Sequence, residues 1–142
     1  MASALSAIAA GKPSTTRWEA RTAPGHPTVA VVSGTGALQT FSLMCRDSTP
    51  VAVLVFAPGQ PATRPTSMAV NFGVLRVDLP LTGDPNAGNV WYSELTSSAL
   101  PRLLASQSGK VALTLDGNDL GSLPLQGSTQ ASRAALQGCY RY

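Results

Sequence analysis

Charge is scarce in this sequence. Ten Lys and Arg with seven Asp and Glu make up only 12% of the 142 residues, about half the share usual in a soluble domain. That argues against an architecture of long, salt-bridged helices. No apolar run approaches the ~20 residues that a membrane-spanning helix needs. The chain has one histidine, His26, and two cysteines, Cys45 and Cys139. These fall short of the four N or S ligands of a tetrahedral zinc site, and they form no CxxC redox pair.

Catalytic patterns are lacking too. His26 sits between Gly25 and Pro27 in an expected loop, with no Gly-x-Ser-x-Gly elbow or Ser-x-x-Lys pair to use it. Gly34-Thr35-Gly36 is too short to cradle phosphate and leads into no helix. Asp116 and Asp119 lack the spacing and terminal Glu of an EF-hand. Asp78 with Glu94 could form a glycosidase-like dyad only if the fold joined them, and ordinary hydrogen bonding explains both. No catalytic residue, cofactor site or metal site is expected, and the chain is expected not to be an enzyme.

The positive charges are dispersed: Lys12, Arg17, Arg21, Arg46, Arg64, Arg76, Arg102, Lys110, Arg133 and Arg141 give a net charge of +3 without clustering in any window. Nucleic-acid binding draws its affinity from many phosphates neutralised together. Neither nucleic acid nor a membrane surface is therefore expected as partner.

Small and turn-forming residues fill the gap that charge leaves, with 13 Gly and 11 Pro against 44% hydrophobic residues. Thr28–Ser33 is a short β-branched run ended by Gly34-Thr35-Gly36. Residues 37–46 alternate, with Phe41, Leu43 and Cys45 on one face. Asp47–Pro50 turns the chain into Val51–Phe56. Residues 57–67 hold Pro58, Gly59, Pro61 and Pro65 and read as a loop. Met68–Leu75 and Arg76–Leu81 read as two strand segments, bent or divided near Gly73, with Gly83–Gly88 as a turn and Asn89–Leu95 as another strand.

Leu100, Leu103 and Leu104 predict a helix over 97–106, capped by Ser97 or Ser98. Lys110–Asp116 and Ser122–Gln126 flank an Asp-Gly hairpin signal. A second helix starts at Ser128, and Gly138 is placed to stop it in the left-handed conformation. The sum is a mainly β fold: an antiparallel sandwich or compact barrel of about eight strands with two short helices, the second at the C-terminus. The single domain is expected over 18–142. The Ala-rich residues 1–17 are read as a flexible arm, with a signal-peptide remnant or an engineering scar as alternatives.

Cys45 and Cys139 lie 94 positions apart. They could be unrelated buried thiols, but the even count, the scarcity of lysine and the position of Cys139 after a helix stop favour a staple. Such a bond would remove about 4–5 kcal/mol of unfolded-state entropy and would persist only in an oxidising compartment. An exported, periplasmic or secreted location follows from it. Contact with a partner is expected from the Pro-rich loop and from aromatic side chains; Arg64, Trp91 and Tyr92 are the candidate contact residues.

The order of features also resembles a known group. Trp18 is followed by Phe41-Ser42-Leu43-Met44-Cys45, then Arg76-Val77-Asp78, Trp91, and Leu125-Gln126-Gly127-Ser128 leading through Ala135-Leu136 to Cys139. Over 18–142 this is similar to small proteobacterial periplasmic proteins of the invasion-associated locus B type and to the accessory periplasmic proteins encoded with type VI secretion systems. The resemblance implies a periplasmic β-sandwich with a structural disulfide and no enzymatic activity. An exported interaction or accessory protein is thus the first expectation. An inhibitor or immunity-type binder of a secreted hydrolase and a capsid- or decoration-type domain are the alternatives.

Overall fold

The computed structural model describes residues 12–142; the greater part of the expected 1–17 arm lies outside the described residues. Ten strands and two helices are described. They are β1 (Glu19–Arg21), β2 (Val29–Ser33), β3 (Leu38–Arg46), β4 (Thr49–Phe56), β5 (Ser67–Asn71), β6 (Arg76–Pro80), β7 (Thr82–Asp84), β8 (Ala87–Glu94), α1 (Leu100–Ser106), β9 (Lys110–Leu115), β10 (Asn118–Pro124) and α2 (Ser128–Leu136). The fold is mainly β, in two antiparallel sheets. One has six strands in the order β1-β2-β3-β4-β8-β7, and the other has four in the order β10-β9-β5-β6.

Alternation explains the main core. Ala30 pairs with Leu43 and Leu43 with Ala52, while Val32, Phe41, Leu54 and Trp91 line up across β2, β3, β4 and β8. These inward residues meet Met68, Val70, Val77, Leu79, Val111 and Leu113 of the second sheet in one buried cluster. The outward set of the six-stranded sheet, Val29, Val31, Met44, Val51 and Val53, is a second buried cluster. That is why Val51–Phe56 is apolar on both of its faces.

Two turns show their chemistry directly. Asp116 and Gly117 both have positive φ, 50° and 85°, and join Leu115 to Asn118 in a two-residue hairpin. Asp47 and Ser48 do the same between Arg46 and Thr49, so the turn is shorter than expected and Pro50 stands near the start of β4. The expected Gly83–Gly88 turn is mostly strand, with Asp84 pairing with Ala87 and its carboxylate accepting from the Asn86 N–H at 2.8 Å.

α1 is shorter than expected at its start. Ala99 is the cap residue and Ser98 Oγ accepts from the Leu100 N–H at 3.1 Å. α2 ends differently from expectation. Gly138 is not among the residues with positive φ. Instead the N–H groups of Cys139 and Tyr140 both reach the Leu136 carbonyl, at 3.0 and 2.8 Å, so the last turn tightens without a left-handed residue. This exit still brings Cys139 to β3, where the Cys45–Cys139 disulfide closes with Cα atoms 5.9 Å apart.

Trp18 ties the entry of the chain to its exit. It is 1% exposed. Its backbone N–H donates to Gln126 O and its indole N–H to Pro124 O, both at 2.8 Å, and its ring meets Phe41 edge-on. Ahead of it, the Ser14 carbonyl accepts from the Ser33 N–H at 2.9 Å and the Ser14 N–H donates to Glu19 Oε1.

Candidate functional site

The three expected contact residues fall into two clusters on opposite faces of the six-stranded sheet. Trp91, on β8, points inward and is 5% exposed. Gly83 on β7 lies against its ring, where an added Cβ would come within 3.1 Å. From the Pro-rich loop, Arg64 lays its guanidinium 5.2 Å from the Trp91 centroid. The structure thus brings Arg64 and Trp91 together, with the indole as a buried floor and the arginine as its exposed lid.

Tyr92 faces the other way. Its hydroxyl donates to Asp84 Oδ2 at 2.6 Å, and Arg46 stacks on its ring at 5.2 Å. Burial, then the Asp84 hydrogen bond, pushes the Tyr92 hydroxyl up to about 12. The same hydrogen bond, followed by the Asn86 N–H, holds the Asp84 carboxyl below the usual range. This makes a polar anchor at the sheet edge.

The loop over 57–66 is pinned at its far end. The Asp116 carboxylate accepts from the Thr66 hydroxyl at 2.7 Å and from the N–H groups of Thr66 and Ser67 at 3.0–3.1 Å. These donors, the Thr66 hydroxyl first, hold its ionisation below the ordinary 3.8. A carboxylate with a depressed folded value stabilises the fold above the unfolded value, and that contribution disappears as pH falls through the folded one. Asp116→Asn should therefore destabilise the protein at neutral pH. It should also flatten the fall in melting temperature below about pH 4, as read in thermal melts across pH. An unchanged acid limb would remove Asp116 from this role. Between this loop and the β9–β10 hairpin runs an open groove of about 250 Å³, lined by Phe56, Pro61, Thr63, Leu115 and Asp119 among others.

Asp78 and Glu94 stand on different sheets, and the Asp78 carboxylate is engaged by Arg76 at 2.9 Å on the exposed edge strand β6. Among the described residues, no three or more His, Cys, Asp or Glu side chains gather in one place, and no helix is long and apolar enough to cross a membrane.

Two further surface features stand out, the first legible in part in the sequence and the second not. The first is the tip of the β5–β6 hairpin, where the chain turns at the break expected near Gly73. The strand ends at Asn71, and the Phe72 N–H bonds the Leu75 carbonyl at 2.7 Å around Gly73, whose φ is 88°. Val74 is fully exposed and Leu75 is 44% exposed at this tip. Gly73 after an apolar run was the signal for it. The second is a column of arginines and tyrosines where α1, α2 and the last residues meet, with Arg133 stacked 4.6 Å from the Tyr142 centroid. No protein-family model, characterised protein or solved structure matches this chain.

Proposed function

We propose that the chain is an exported, periplasmic binding module, an accessory protein that acts by holding a protein partner and performs no catalysis. The observation that carries this is the β5–β6 hairpin tip. Single exposed apolar residues are ordinary on protein surfaces. Here Val74 and Leu75 are adjacent at the summit of a tight turn that polar residues would serve equally well, and the turn fixes them in place. A rigid apolar point on a β scaffold suits insertion into a partner's pocket.

The compartment is supported by the Cys45–Cys139 bond, which a reducing cytosol would not maintain. The likeness in the order of tryptophans, cysteines and the closing Gly-to-Cys segment supports the periplasm in particular.

A photo-crosslinking side chain at Val74, in cells that express the chain natively, should capture one periplasmic protein. The same side chain at exposed Gln39, on β3, should not. Val74→Asp with Leu75→Asp should abolish the complex while shifting stability by no more than about 0.5 kcal/mol. A complex that survives this double variant, or a turnover reaction measured for the purified chain, would overturn the proposal. A captured hydrolase that loses activity on binding would replace the accessory role by that of an inhibitor.

A further inference from the structure

We infer that the helical end of the molecule is a docking surface for an acidic segment of a partner protein, received by a stacked column of Arg102, Tyr140, Tyr142 and Arg133. The inference rests on the reading of the chain as a binding module and supplies the chemistry of its partner.

The column is assembled from three separate stretches. Arg102 comes from α1, Arg133 from α2, and the two tyrosines from the segment after Cys139. The two helices are joined by hydroxyl bonds, Ser128 Oγ to Leu104 O at 2.6 Å and Thr129 Oγ1 to Ala105 O at 3.0 Å. Tyr140 is the anchor: its ring is buried and its hydroxyl donates to the Ser98 carbonyl. Arg102 stacks on the Tyr140 ring at 5.5 Å, Tyr142 meets Tyr140 edge-on at 4.9 Å, and Arg133 covers Tyr142 at 4.6 Å. The Arg102 guanidinium also donates to the Arg141 carbonyl at 3.0 Å. Both ends of the column are thus cationic, and Tyr142 between them is 38% exposed.

Electrostatics decides the occupant. The stretches 97–108 and 128–142 contain Arg102, Arg133 and Arg141 and no Asp or Glu at all. Neither helix has an acidic residue in its first turn, where one is ordinarily favoured. Among the described residues, none of these three arginines forms an ion pair, whereas Arg21 pairs with Glu19 and Arg76 with Asp78.

A guanidinium held over a ring keeps N–H donors to spare; Arg102 commits only one of its nitrogens, to the Arg141 carbonyl. Such donors bind a carboxylate in bidentate fashion, and stacking reduces the side-chain entropy left to lose on binding. Two cationic ends around an aromatic ring fit a short peptide with carboxylates on both sides of an apolar residue. A nucleic acid would call for a longer run of phosphate contacts than three cations provide.

The disulfide now has a second consequence. Cys139 immediately precedes Tyr140, so the staple to β3 holds the segment that carries both rings.

The test uses the full oxidised chain, isotopically labelled, titrated with a short peptide carrying glutamates on both sides of a leucine. Saturable amide shifts should appear at 102, 133 and 140–142 and weaken as salt is raised. Arg102→Gln with Arg133→Gln should weaken binding about tenfold or more, whereas Arg46→Gln, on the Tyr92 face, should leave it unchanged. Reduction of the disulfide should weaken binding to the wild-type chain.

Absence of saturable binding, equal binding by the double glutamine variant, or tighter binding of oligothymidylate or phosphatidylglycerol vesicles at the same residues would overturn the inference. If the peptide fails while the Val74 crosslink persists, this surface is wrong and the binding-module reading stands. If both fail, the module reading falls with it.

Discussion

Serine at both Cys45 and Cys139 should lower the free energy of unfolding by about 3–5 kcal/mol and the melting temperature by roughly 10–20 °C. The cysteines are separated by 94 positions, and in the chain-entropy model a cross-link over such a loop stabilises by about 4–5 kcal/mol, because the open unfolded chain gains that much freedom when the link is cut. Little in the folded chain compensates for it. The Cys139 N–H keeps its bond to Leu136 O without the sulfur, so the folded state should survive as a less stable molecule with the same sheets.

Denaturant titrations of the oxidised chain, the double serine variant and the reduced wild type should place the last two together. A loss under about 1 kcal/mol would mean that the unfolded chain stays compact enough to hide the cross-link. Hydrogen exchange should show where the strain of losing the staple is felt. Amides of 128–142 should lose protection before those of β3 and β4, whose paired register runs from Leu38 to Arg46.

How much was legible beforehand follows from what each signal depends on. The alternation of Phe41, Leu43 and Cys45 is a property of neighbours along one strand, so it survives in the sequence and fixes which side Cys45 faces. The Asp116-Gly117 hairpin is similarly local. β1 and β7 were missed because three residues each, Glu19–Arg21 and Thr82–Asp84, are too few to show a period.

The left-handed stop assigned to Gly138 failed for a physical reason. Cys139 and Tyr140 are drawn to the Leu136 carbonyl while the disulfide and the buried Tyr140 ring hold the segment down, and a right-handed turn achieves both. The candidate sites were legible only in part. Arg64 and Trp91 do meet, but the burial of the indole depends on Gly83 from a different strand. The arginine–tyrosine column was hidden because its charges, Arg102 and Arg133, are far apart in the chain and converge only when α1 packs on α2. Dispersed cations therefore said little about the surface they form.

Gly127→Ala should destabilise the fold strongly for a glycine that shows no chemistry of its own, costing about 3 kcal/mol. Two effects combine there. Gly127 precedes α2 with φ 79°, a left-handed conformation that costs an alanine about 1–2 kcal/mol. Its missing Cβ would also stand 2.8 Å from the Trp18 carbonyl oxygen and 3.4 Å from the Trp18 nitrogen. Both are backbone atoms that cannot swing aside.

The Trp18 backbone is held by its own bond to Gln126 O and by the indole bond to Pro124 O. Relieving the clash must therefore stretch one or both. Gly25→Ala is the matched control: its φ of 76° imposes a similar backbone strain, but nothing lies within 4 Å of an added Cβ. It should cost only about 1–2 kcal/mol. The difference between the two variants in urea titrations isolates the steric contribution. Equal losses would show that the chain entry moves freely to admit a methyl group, and that Trp18 does not lock the start of the domain to its C-terminal helix.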